Sequence, residues 1–188
     1  MTYPDLWILR HGETEWNAAG RMQGHLDSPL TERGREQAVR QGALLEGLDF
    51  GALDVWMSPL GRAVQTAAIA LDGRARILRS DDRLMEIGMG EWQGRARAEL
   101  DVSQEQDGLL YYDSAPGGEG FPALYTRCRS FLDDLERPAV LVTHGITSRM
   151  LRLIATGQGM DGLSDLPGGQ GVVHVVRAGR HDTLGGEP

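Results

Sequence analysis

The chain has 188 residues, 40% of them hydrophobic and 24% charged, which is the composition of a single globular domain, residues 1–188, with a sizeable core. Its 27 acidic and 19 basic residues leave a formal net charge of −8, which argues against nucleic acid as a partner, because binding a phosphate backbone draws on positive charge. No apolar run is long enough to span a membrane, no basic-then-apolar start marks a signal peptide, and Cys128 is the single cysteine, so a cytoplasmic protein with no membrane contact and no internal disulfide is expected.

Residues 6–9, Leu-Trp-Ile-Leu, read as a buried strand that delivers Arg10, His11 and Gly12 to its rim. Residues 18–30 are rich in Gly, Pro and polar side chains and read as a long surface loop. Thr31 is a plausible N-cap for a helix running to about Gly47. A second strand at 53–57 ends in Ser58-Pro59-Leu60-Gly61-Arg62, where a second helix begins with Arg62 in its first turn. A third short strand is placed at 76–78, followed by an irregular glycine-rich segment over 81–94 that carries Glu86. Residues 95–120 carry little pattern beyond a short helix near 97–100 and a turn at 116–118.

The clearest helix follows, with Phe121, Leu124, Tyr125, Cys128, Phe131, Leu132 and Leu135 on one stripe and Pro138 as its stop. Cys128 therefore reads as core. Residues 139–143 form a continuous apolar strand that runs into His144-Gly145 and a further helix. A last strand at 172–176 pairs through Gly179 with a short terminal one, or lies at an edge where it would pair between subunits. The oligomeric state itself stays open. Strands alternating with helices give an α/β class with a largely parallel central sheet and helices on both faces.

Arg10-His11, Arg62 and His144 all follow the C-terminal ends of strands, and in an open α/β sheet such ends share one crevice. With Glu86 they put two guanidiniums, two imidazoles and a carboxyl group in one cleft. Two arginines side by side call for an anion between them and match phosphate oxygens in pairs. A neutral imidazole is a competent nucleophile, and the neighbouring cations favour that neutral form. Glu86 would supply the leaving group's proton if apolar surroundings kept it protonated. Every basic residue here is an arginine, so each cationic contact is a planar multi-donor fork. His25, His174 and His181 have no motif around them and read as surface or structural, and Trp16 and Trp92 as packing.

The residues in this order resemble the histidine phosphatase superfamily, in its phosphoglycerate mutase-like branch. The similarity runs through Leu9-Arg10-His11-Gly12-Glu13-Thr14 with Asn17, through Gly24 and the stretch 27–34, and through Ser58 to Ala67. It continues at Glu86-Ile87-Gly88, Pro116-Gly117-Gly118-Glu119 and Val142-Thr143-His144-Gly145. It implies His11 as the phosphorylated nucleophile, Arg10, Arg62 and His144 as phosphoryl ligands, and Glu86 as proton donor. Asn17, Gln23 and Gly24 match positions that contact the phosphate or line the pocket mouth. The resemblance also implies the α/β fold, a small phosphate ester as substrate, and chemistry that needs no metal or other cofactor.

The branch holds both mutases and phosphatases. At the proton donor the glycolytic mutases resemble Glu-Arg-His-Tyr-Gly, whereas this chain reads Glu86-Ile87-Gly88-Met89-Gly90 and is shorter. A mutase must shield its phosphohistidine from water, and a short chain has less material for a lid, so a phosphatase is expected. Its substrate specificity is expected to reside in residues 18–30 and 87–120. Two rival classes are a metal-dependent hydrolase using His11, His144 and Glu86 as ligands, which the arginines oppose, and a non-catalytic phosphate-binding module, which would need no nucleophile.

Overall fold

The computed structural model describes residues 2–100 and 109–185. In chain order the elements are β1 (Leu6–Arg10), α1 (Glu15–Ala18), α2 (Glu32–Leu44), β2 (Asp54–Met57), α3 (Gly61–Ala70), β3 (Arg79–Ser80), α4 (Gly120–Asp133), β4 (Ala139–Thr143), α5 (Gly145–Thr156), β5 (Val173–Arg177) and β6 (Arg180–Leu184). The six strands form one sheet in the order β3-β2-β4-β1-β5-β6. β3, β2, β4 and β1 run parallel, and β5 and β6 close that side as an antiparallel hairpin.

Alternation along the strands explains why the sheet is covered on both faces. Leu6 and Ile8 of β1 and Ala139 and Leu141 of β4 pack with Leu124, Phe131, Met150 and Leu153 of α4 and α5. Trp7, Leu9, Val140 and Val142 point the other way, to Ala63, Ala67 and Ala70 of α3 and to Leu45 just past α2. Cys128 lies in the first of these layers, fully buried, as its stripe position implies. Among the described residues no helix is long and apolar enough to cross a membrane.

Four local expectations are revised. The third strand lies at Arg79–Ser80 and not at 76–78: Ile77 and Leu78 are exposed, because a two-residue strand at the sheet edge has nothing to cover its neighbours. Residues 15–18 form the short helix α1, capped reciprocally by Thr14 and Asn17. The stretch 18–30 is not a surface loop throughout, since Met22, Gln23, Ser28 and Leu30 are buried beneath it. Of the two readings of the last strand, pairing through Gly179 with a terminal strand holds, and the edge reading does not: β5 is flanked by β1 and β6 and offers no edge for pairing between subunits. Of the poorly patterned stretch, a 3-10 turn at Arg97–Glu99 stands where the short helix was expected, and 101–108 lie outside the described residues.

Glycine matters most where backbones cross. A Cβ on Gly34, in the first turn of α2, would overlap the Glu13 carbonyl oxygen, and one on Gly12 would overlap the Gly34 carbonyl oxygen. This contact seats the His11 loop on α2. We expect Gly34→Ala to cost about 3 kcal/mol or more, the upper range for overpacking. That corresponds to a fall in Tm of roughly 6–12 °C for a chain of this size, checked by thermal unfolding. An unchanged Tm would show that the crossing is looser than drawn.

Candidate active site

Strand register brings the key residues together. Arg10 pairs with Thr143, and Met57 pairs with Val142 from the other side, so the ends of β1, β4 and β2 lie in a row. Beyond them, the His11 amide donates to the Thr143 carbonyl (2.9 Å) and the Ser58 amide to the Val142 carbonyl (2.9 Å). His11 and His144 face each other with ring centroids 5.2 Å apart.

The His11 ring has a defined tautomer. Its Nδ1 lies 2.7 Å from the Gly12 carbonyl oxygen, which can only accept, so Nδ1 carries the proton and Nε2 keeps its lone pair. The Gly12 amide in turn donates to Thr66 Oγ1 (3.0 Å), whose hydroxyl donates to the Arg62 carbonyl (2.8 Å). Burial holds the His11 pKa well below the ordinary 6.5, and the charges of Arg10 and Arg62 push it the same way. His144 is held well below that value too, by burial first and then by Arg62, His11, Arg10 and Arg127.

Arg62 is 1% exposed on the first turn of α3. Its Nη1 donates to the Leu26 carbonyl (2.7 Å) and to Asp27 Oδ1 (2.8 Å), and its Nη2 to the Gly24 carbonyl (2.8 Å). Asp27 also takes the amides of Gly61 and Arg62, so one carboxylate fixes both the helix start and the fork. The Arg10 guanidinium lies against Gly145, beside Glu86. Three buried nitrogens in this cluster have no hydrogen-bond partner among the described residues: Arg10 Nε, Arg62 Nε and His144 Nδ1.

The apolar surroundings that were made a condition for Glu86 are not what its oxygens meet. Its Oε1 accepts from the Ile87 amide (3.0 Å) and the Thr147 amide (3.1 Å), and Oε2 from the Ile146 amide (3.2 Å); the Thr147 hydroxyl lies 3.1 Å from Oε1 and gives its proton to the Met85 carbonyl (2.7 Å). The carboxylate thus sits on the first turn of α5, among donors. Its backbone is held from outside: His25 Nε2 donates to the Glu86 carbonyl (2.8 Å), and so does Arg127 Nη2 (3.0 Å). Arg127 is also paired with Glu119, which takes the Gly88 amide. His25, read as surface or structural, therefore touches the site segment.

Of the pocket-mouth candidates, Gly24 reaches Arg62 through its carbonyl and adopts φ +54°, and a Cβ there would overlap Gln93. Gln23 is buried and accepts from Ser28 (3.3 Å). Asn17 Oδ1 receives the Thr14 amide (3.2 Å) and Gln170 Nε2 (3.2 Å), and Gln170 also donates to the His11 carbonyl (3.2 Å). Gln170 and Thr147 stand in no sequence pattern that would have marked them. Asp27, Ser58, Thr66 and Glu119 lie within the resembling stretches. His174 and His181 stand away from this cluster, in a buried group with Arg152 beneath α5. As for a metal-ligand reading, among the described residues no group of three or more His, Cys, Asp or Glu side chains is arranged to hold an ion.

An α/β sheet whose parallel strand ends gather two guanidiniums, two neutral imidazoles and a carboxylate defines an enzyme class built to handle an anionic group. Residues 6–183 match the family described as the histidine phosphatase superfamily (branch 1), and the chain belongs to that superfamily, a phosphoric monoester hydrolase by class. It is 34% identical to a glucosyl-3-phosphoglycerate phosphatase of Mycolicibacterium vanbaalenii, over 97% of this chain and 87% of that one. It is 35% identical to a protein of Erwinia tasmaniensis named "probable phosphoglycerate mutase GpmB", over 78% and 72% of the two chains. The structure of the alpha-ribazole phosphatase from Shigella flexneri superposes with a TM-score of 0.78 at 28% identity, covering 96% of this chain and 94% of that one.

Proposed function

We propose that the protein hydrolyses a small phosphate monoester, without a metal, through a phosphohistidine on His11. The observation that carries this reading is the pair of unpartnered buried donors, Arg10 Nε and Arg62 Nε, together with an unpartnered His144 Nδ1, beside an imidazole whose Nε2 lone pair is free. Buried donors without acceptors are costly, and phosphoryl oxygens supply acceptors with the right charge. His11 Nε2 attacks phosphorus, the P–O ester bond breaks, and the leaving oxygen takes a proton from the Glu86 carboxyl group. Water then attacks the phosphohistidine, Glu86 accepts its proton, and the P–N bond breaks.

Asn17, Gln23 and Gly24 shape the mouth of this cleft, Gly24 by fixing the Arg62 fork. The test is phosphate release from a panel of monoesters in the presence of a chelator, including glucosyl-3-phosphoglycerate, α-ribazole 5'-phosphate and 3-phosphoglycerate. Release that requires an added metal would overturn the mechanism. Interconversion of phosphoglycerates would favour a mutase, and no turnover of any ester would leave a binding module.

Glu86→Gln keeps the size but cannot give up a proton. On alkyl phosphates its kcat is expected to fall about 10²–10⁴-fold, the usual worth of a general acid. On p-nitrophenyl phosphate, whose leaving group needs no proton, the loss should be within about tenfold. Equal losses on both substrates would remove Glu86 from the donor role.

A further inference from the structure

Ser58 is fully buried at the end of β2 and its hydroxyl lies 2.7 Å from His144 Nε2. The Leu60 amide, in the turn leading to α3, points at Ser58 Oγ (3.3 Å). A hydroxyl that already accepts one proton has its own hydrogen left to give. His144 Nδ1, on the far side of the ring, is buried and has no partner among the described residues. We propose that Ser58 is a positioning residue that donates to His144 Nε2, thereby placing the ring proton on Nδ1 and aiming it as a donor at the phosphoryl oxygens.

The alternative assignment gives a worse site. If Nε2–H donated to Ser58, Nδ1 would turn a lone pair toward the phosphoryl oxygens, two acceptors facing each other in a buried cleft. The doubly protonated ring would be a third buried cation beside two arginines. With Ser58 donating, both imidazoles are neutral and divide the work: His11 shows a lone pair and His144 shows an N–H. Each ring is set by a neighbour on its hidden side, a carbonyl for His11 and a hydroxyl for His144. The groups facing His144 are His11 and Arg10 at the end of β1, Arg62 on α3, Arg127 on α4, and Glu86 at the amides that follow it.

This inference rests on the phosphatase reading, and its first test is independent of turnover. In protein carrying ¹⁵N-labelled histidine, the His144 resonance, assigned by its loss in His144→Gln, should show Nδ1 protonated and Nε2 bare at neutral pH. Protonation at Nε2, or at both nitrogens, would overturn the proposal even if the enzyme is active. The second test measures orthovanadate affinity and kcat/KM. Ser58→Ala should lose about 10–100-fold in each near pH 7, the worth of one misdirected donor, and Ser58→Thr, which keeps the hydroxyl, should recover most of it.

In Ser58→Ala the labelled His144 ring should lose its fixed Nδ1–H form, which a change in packing alone would not bring about. A variant that keeps the wild-type tautomer, or one with wild-type vanadate affinity, would refute the role. An inactive wild type with the stated tautomer would instead count against the phosphatase reading.

Discussion

His11→Ala should abolish phosphate release, by about 10⁴-fold or more, while leaving the fold intact. Loss of a covalent nucleophile is among the largest single effects in catalysis, because it removes the two-step path and not just one stabilising contact. The fold is expected to survive because the backbone bond from residue 11 to Thr143 does not involve the side chain. Removing the ring also relieves a buried group set among Arg10 and Arg62. The measurement is kcat/KM on the best ester of the panel, with a thermal melt as control. A rapid acid-free quench of wild type with labelled substrate should in addition trap phosphate on the protein, and none on the variant. Residual turnover within tenfold of wild type would rule out the phosphohistidine.

The second large effect concerns acid. Burial holds His174 at about 3 and His181 at about 4, and holds His11 and His144 well below 6.5. In the unfolded chain each titrates near its ordinary 6.5, so below that pH the unfolded state binds more protons and stability falls. The contribution is whole above 6.5 and drains away as pH drops toward the folded-state values. For His174, which stays neutral, the loss by pH 5 is about 2 kcal/mol, and His11 and His144 act in the same direction. His181 is partly exposed, so solvent screening makes its share smaller. Against a total stability of usually ~5–15 kcal/mol such a loss is large. Urea midpoints at pH 7, 6 and 5 should therefore decline steeply, and His174→Phe should flatten the decline. A midpoint that holds steady to pH 5 would mean that these rings accept protons within the folded protein.

The comparison of sequence with structure divides along a physical line. Strands β1, β4 and β2, helices α2 to α5 and the resulting α/β class were legible because apolar periodicity records which residues face the two sides of the sheet, and the same chain segments keep that pattern in the fold. The convergence of Arg10, His11, Arg62, Glu86 and His144 was legible for a related reason. Parallel strands place their C-terminal ends on one edge, whatever the loops between them do. The edge strand at Arg79–Ser80 was misplaced because two residues leave no period to read, and α1 was missed because four residues do not make one either.

Tertiary structure alone decided the protonic details of the site. Which ring nitrogen of His11 bears a proton follows from the Gly12 carbonyl, and the His144 ring follows from Ser58, which is 86 positions away in sequence. Apolar surroundings were only a condition set on Glu86, and its oxygens meet the amides of Ile146 and Thr147, about 60 positions later. Gln170 reached Asn17 and His11 from the other end of the chain. Hydrogen bonds between distant segments leave no periodicity, and a side chain's partner is set by where two loops happen to meet. The groups that converge at the strand ends were therefore written in the sequence, while their tautomers, donors and orientation arose only when the strands lay side by side.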